Sequence, residues 1–136
     1  MGRKVAREGA MRLLFQMELN EDYSDEAKSI FLENFEYDET ETKYINESFV
    51  SIMENREMID KYIEDNLEGW SIYRLAKVDL AVLRIAIYEI LFRKDIPVEV
   101  SINEAIEIVK KYSSYDSFKF INGVLGGFVR GLEDKR

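Results

Sequence analysis

A chain of 136 residues with 46% hydrophobic and 34% charged side chains can bury one core, and its single proline and seven glycines leave little room for linkers. It contains no cysteine and no histidine, which removes disulfides, thiolate chemistry, zinc fingers, histidine acid–base catalysis and Ser-His-Asp triads. The net charge of −8 is unevenly spread, with +3 over residues 1–16, −12 over 17–66 and +1 over 67–136, an asymmetry that hints at a localised binding surface.

The apolar spacing is helical along the whole chain. Over residues 3–20, Val5, Ala10, Leu13, Leu14 and Met17 form one stripe, with Arg3, Lys4, Arg7 and Arg12 largely off it. Asn20-Glu21-Asp22 ends this helix. Ser24 is a natural N-cap for the next, with Asp25 and Glu26 placed where the helix dipole favours negative charge, ahead of the stripe Ala27, Ile30, Phe31, Phe35. An acidic connector over 36–42 offers a capping box between Asp38 and Glu41. Two helices follow, carrying Tyr44, Ile45, Phe49, Ile52 and Met53, then Ile59, Tyr62, Ile63 and Leu67, and Gly69-Trp70 closes this half.

Residues 79–93 are apolar all round, interrupted only by Arg84 and Glu89, as expected of the central helix of a bundle. Lys94-Asp95-Ile96-Pro97 breaks it. Ser101 and Glu104 have capping-box spacing for a helix that buries Ile102, Ala105, Ile106 and Val109. Ser113-Ser114 turns the chain into a last helix from about Ser117 to Val129, burying Ile121, Val124, Leu125 and Phe128, with Gly123 and Gly127 read as a close helix–helix contact. The expected fold is all-α, about seven helices in two small bundles packed into one unit, with subdomains of about 1–68 and 69–136.

Neither metal nor cofactor is expected. Glu104-Ala105-Ile106-Glu107 lacks the histidine of a di-iron helix, the acidic stretch 36–42 lacks the ligand pattern of an EF-hand, and Gly123-Val124-Leu125-Gly126-Gly127 lacks the Lys-Ser/Thr of a phosphate loop. A carboxylate such as Glu89 reads as a satisfied polar group or an interface charge rather than a catalytic acid. The expectation is therefore a non-enzyme. No apolar run approaches the ~18 residues of a membrane span, and Leu13-Leu14-Phe15 is too short for a signal peptide, so a cytoplasmic protein is expected.

Two elements carry chemistry suited to RNA. Arg3 and Arg7 lie four apart on a helix with Lys4 adjacent, and guanidinium groups pair with phosphates or stack on bases. Between Lys110 and Phe120, cations alternate with aromatics at a helix start, which offers stacking planes for bases and positive charge for phosphates.

The ordered set Val78-Asp79-Leu80-Ala81-Val82-Leu83-Arg84-Ile85-Ala86-Ile87-Tyr88-Glu89, Ile96-Pro97-Val98, Ser101-Ile102-Asn103-Glu104-Ala105-Ile106-Glu107 and Lys119-Phe120-Ile121-Asn122-Gly123-Val124-Leu125 resembles the NusB family of transcription antitermination factors. The likeness reaches Ala6-Arg7-Glu8 more weakly, while residues 20–66 match only in length and helical character. It implies binding to boxA RNA of ribosomal RNA operons together with the small-subunit ribosomal protein NusE, in an assembly with other Nus factors and RNA polymerase. By position it implies RNA contacts at Arg3, Lys4, Arg7, Asp116, Ser117, Lys119 and Phe120, and a partner face at Glu89, Arg84 and Tyr88. Monomer and homodimer stay open. So do two alternative readings, a homodimeric interaction module whose RNA face is masked and an accessory RNA-binding subunit of an RNA-modifying enzyme.

Overall fold

The computed structural model describes residues 2–69 and 71–134; Trp70 lies outside the described residues. These form seven α-helices and one short 3-10 turn: α1 (Gly2–Asn20), α2 (Asp25–Asn34), α3 (Glu39–Glu54), α4 (Arg56–Asp65), the turn Ile72–Arg74, α5 (Lys77–Phe92), α6 (Val98–Tyr112) and α7 (Ser117–Asp134). Among the described residues there is no strand, and no helix is long and apolar enough to cross a membrane. The fold is all-α, as the periodicity predicts.

Local chemistry sets most boundaries. Glu21 adopts a left-handed conformation (φ 53°), and the Asp22 N–H reaches back to the Met17 carbonyl at 3.0 Å, closing α1. Ser24 caps α2 by accepting from the Ala27 N–H at 3.1 Å. Asp38 and Glu41 make the reciprocal capping box of α3, at 2.8 and 2.9 Å.

The expected capping box at Ser101 does not form. Pro97 (φ −59°) starts α6 earlier, because its fixed φ suits a helix start and its missing N–H would have been unsatisfied there anyway. Ser101 is thus inside the helix, where its hydroxyl donates to Glu89 at 2.7 Å. The last helix runs five residues beyond its expected end, to Asp134.

Helix α5 is the axis of the molecule. Every residue from Asp79 to Ile90 is buried, against α1, α3 and α4 on one side and α6 and α7 on the other. One continuous apolar core runs from Ala6 in α1 to Phe128 in α7. Two stripe residues fall outside it, since Val5 and Ile30 are exposed. The paired-glycine expectation holds at one position only. Gly127 packs against the Asn66 side chain at the end of α4, whereas Gly123 faces open space.

Candidate nucleic-acid interface

Four of the expected surface positions on α1 and α5 turn inward. Arg7 shares the inner face of α1 with Ala10, Leu14 and Met17 and is only 5% exposed. Its guanidinium forks onto Glu89, itself 1% exposed, with Nε 2.7 Å and Nη2 3.2 Å from the two carboxylate oxygens. Glu89 also accepts from the hydroxyls of Ser101 and Tyr44. Burial acts against the Arg7 charge, yet the Glu89 hydrogen bond and charge outweigh it and hold the guanidinium pKa above its ordinary value. Burial, together with the Glu89 charge, pushes the Tyr44 phenol well above its usual range.

Arg84, 3% exposed, forks onto Asp60 with both bonds at 2.9 Å and also donates to Glu18 at 3.0 Å and to the Tyr23 hydroxyl at 2.8 Å. Arg56 covers the Tyr23 ring at 4.0 Å, so α1, α4 and α5 are tied at one point. Tyr88, 2% exposed, meets the Tyr44 ring edge-on at 6.4 Å. The chain by itself thus buries all four side chains expected at the surface, Arg7 for phosphate and Glu89, Arg84 and Tyr88 for a partner, each against its neighbouring helices.

The other expected residues remain accessible. Arg3, Lys4, Asp116 and Lys119 are exposed, and Ser117 and Phe120 are half-buried. Long side chains bridge α1 and α6 in parallel order: Lys4 with Glu104 at 3.2 Å, Glu8 with Lys111 at 3.2 Å, and Arg12 with the Tyr112 hydroxyl at 2.9 Å. Tyr112 in turn donates to Glu8 at 2.6 Å. Burial works to raise the Glu8 carboxyl, but the bonds from Tyr112 and Lys111 outweigh it and hold the pKa below the ordinary value. The result is a groove walled by Lys4 and Glu8 on α1 and by Glu104, Glu107, Lys110 and Lys111 on α6. Its floor rests on the Arg7–Glu89 pair, which lies among Ser101, Ala105 and Ile108.

Past Tyr112 the groove leads to the start of α7. There Ser113 and Ser117 donate to Asp79 at 2.7 and 3.1 Å, anchoring the turn to the first turn of α5. A shallow depression beside it is lined by Asp79, Ser114, Asp116, Ser117 and Phe120, with Arg74 at its edge. Tyr115 stands 79% exposed with its ring edge-on to Phe118, and the Lys110 ammonium lies 5.2 Å from the Phe118 ring. The α7 corner and the N-terminus of α1 thus lie at opposite ends of one groove. Tyr112 and Tyr115 belong to this surface as part of the Lys110–Phe120 stretch, whereas Arg12 belongs to it without having been assigned a contact from the sequence. The signal for Arg12 was weak: an arginine off the apolar stripe of α1.

The model of the NusB family matches residues 4–130 of this chain. The transcription antitermination protein NusB of Acetivibrio thermocellus is 45% identical over 130 residues, which cover 96% of this chain and 90% of that protein. The solved structure of T. maritima NusB superposes with a TM-score of 0.87 at 42% identity, covering 96% of this chain and 92% of that one. A chain in the crystal structure of antitermination factors NusB and NusE in complex with dsRNA gives a TM-score of 0.83 at 28% identity, covering 95% and 96%. Matched over residues 4–130 by the family model and over nearly its full length by relatives of about 45% identity, the chain belongs to the NusB family, a non-catalytic family of transcription antitermination proteins.

Proposed function

We propose that this antitermination protein binds single-stranded boxA-type RNA along the α1–α6 groove and at the α7 corner, together with a NusE partner, in the cytoplasm. In that setting it joins other Nus factors and RNA polymerase. One observation carries the reading: on a protein of net charge −8, the Lys110 ammonium lies 5.2 Å from the half-buried Phe118 ring, the exposed Tyr115 meets that ring edge-on, and the exposed Lys111 and Lys119 adjoin Lys110 and Phe118 in the chain. Phosphates are drawn to such cations and unstacked bases to such rings. Arg3 and Lys4 continue the path, Asp116 offers acceptors to base edges, and Ser117 holds the corner in place through Asp79.

The test is a titration of boxA-type and scrambled RNA strands, each with and without NusE. The boxA-type strand binds more tightly, and the preference widens when NusE is present. Equal binding of the two strands with NusE added refutes the reading. Within the bound complex, Phe120→Ala removes a stacking plane worth about 1–3 kcal/mol, and Lys119→Ala lowers the salt slope by about 0.7.

A further inference from the structure

A second cationic depression lies at the far end of the groove, where α1 begins and where α3 and the α5–α6 connector meet it. Arg3, Lys43 and Arg93 line it from three different elements, around the ring of Tyr44. The guanidinium carbons of Arg3 and Arg93 stand 5.9 and 5.7 Å from that ring. Tyr44 is fixed by its buried hydroxyl bond to Glu89, so the platform under both cations is rigid.

The pairing that two of these cations make at the edge of the depression resembles anion recognition. The Asp95 carboxylate takes both forks of Arg93, at 3.0 and 3.0 Å, and lies 3.9 Å from Arg3. A carboxylate held between two guanidinium groups occupies the place that a phosphate diester would take. Asp95 is more than half exposed and sits on the connector, so it can swing aside. Lys43 is exposed and has no ion-pair partner among the described residues. Glu47 is the one acid lining the depression, and α1 has no acid in its first turn to offset its own N-terminal dipole.

We infer that this depression is a backbone-phosphate subsite for the RNA, with Arg3, Lys43 and Arg93 as its cations and Asp95 as a resident competitor that the phosphate displaces. The inference rests on the RNA reading given above. Arg3 and Arg12 are nine residues apart on α1, about 14 Å along the helix axis, so the strand that reaches the α7 corner must run the length of the groove to fill both ends. Lys4, Arg12, Lys110 and Lys111 against Glu8, Glu104 and Glu107 leave the path between with an excess of one positive charge.

The test measures RNA affinity against salt for the full chain with NusE, using a boxA-type strand extended by several nucleotides at both ends. Lys43→Ala lowers the slope of log K against log salt by about 0.7, the loss of one single-strand phosphate contact. Asp95→Asn acts in the opposite direction, tightening binding several-fold at low salt by removing the competitor. Trimming the strand from one end abolishes both effects while leaving the response to Lys119→Ala intact.

If the strand binds with its Lys119 response but Lys43→Ala and Asp95→Asn leave affinity and slope unchanged, the subsite is refuted and the RNA reading survives. If no strand binds with or without NusE, both fall together. If Lys43→Ala weakens NusE binding in the absence of RNA and leaves the RNA slope unchanged, the depression serves a protein and the inference is overturned.

Discussion

Arg7 distinguishes two accounts of the basic N-terminus. Were it a phosphate contact, Arg7→Met would leave stability unchanged and reduce the salt slope. The structure instead places it 5% exposed against a Glu89 that is 1% exposed, with Tyr44 and Ser101 satisfying the remaining acceptor sites. Removing one partner of such a buried pair strands the other charge and costs about 3–5 kcal/mol. For a chain of this length that lowers Tm by roughly 10–20 °C.

A double-mutant cycle isolates the pair. Glu89→Gln keeps a carbonyl oxygen for one of the two hydroxyls, which reach different carboxylate oxygens, and turns its amide N–H toward the other; it strands the Arg7 charge and so loses about 3–5 kcal/mol as well. Combining Arg7→Met with Glu89→Gln removes both charges and recovers about 2–4 kcal/mol of the summed loss as coupling. Urea denaturation followed by circular dichroism, at fixed pH and salt, measures all four corners. Coupling below about 0.5 kcal/mol, with an Arg7→Met variant as stable as the parent and a reduced RNA salt slope, would refute the buried-pair account.

Three other outcomes follow from the same geometry. Burial and the hydrogen bond to Glu18 push the Tyr23 phenol up to about 12, and Tyr44 lies well above 10, so the unfolded chain releases these protons first and stability falls as pH rises from about 10 through 12. Tyr23→Phe flattens that alkaline limb in pH-dependent urea melts, and an unaltered limb would count against the network. Burial tends to raise the Glu18 carboxyl, but Tyr23 and Arg84 hold it below 4.5, so stability present at neutral pH is lost as pH falls below that value, less steeply in Glu18→Gln. Gly123→Ala, in open space within a helix, stabilises by about 0.5–1 kcal/mol, while Gly127→Ala destabilises by about 1–3 kcal/mol because its methyl overlaps the Asn66 side chain. Equal effects at the two glycines in thermal melts would contradict this packing.

The sequence made legible whatever depends on spacing along one helix. The caps at Ser24 and Asp38, the all-round burial of α5 and the inward set of α7 were each written in local pattern. What spacing does not encode is which element lies opposite. Arg7 sits at helical intervals from Ala10, Leu14 and Met17, so its inward direction was already in the period, but a cation near a basic terminus reads as solvated until a carboxylate is seen across from it. Ser101 failed for a related reason: its pattern was a capping box, and Pro97 three residues before Val100 had already started the helix. The exposed half of the site was legible as composition, as cations among aromatics from Lys110 to Phe120, and its geometry was not.

Arg7, Glu89 and Ser101 are joined beneath the α1–α6 groove. Glu89 of α5 receives Arg7 from α1, Tyr44 from α3 and Ser101 from α6, one donor from each helix around it. Those bonds lie directly beneath the α1–α6 groove, so they fix the distance between its walls and hold the Tyr44 platform under Arg3 and Arg93. Lys4, Lys111 and Arg12 then reach across that fixed gap to Glu104, Glu8 and Tyr112. A buried ion pair is weak evidence for net stability, because apolar side chains of the same volume often do as well. Four helices converging on one carboxylate gain something else, a single relative placement. On the proposed RNA reading, Arg7 is expected to act from below the groove. Its loss lowers the fraction of chain able to bind while the salt slope of the folded fraction stays as it was, whereas loss of an exposed cation such as Lys119 changes the slope and leaves the fold intact.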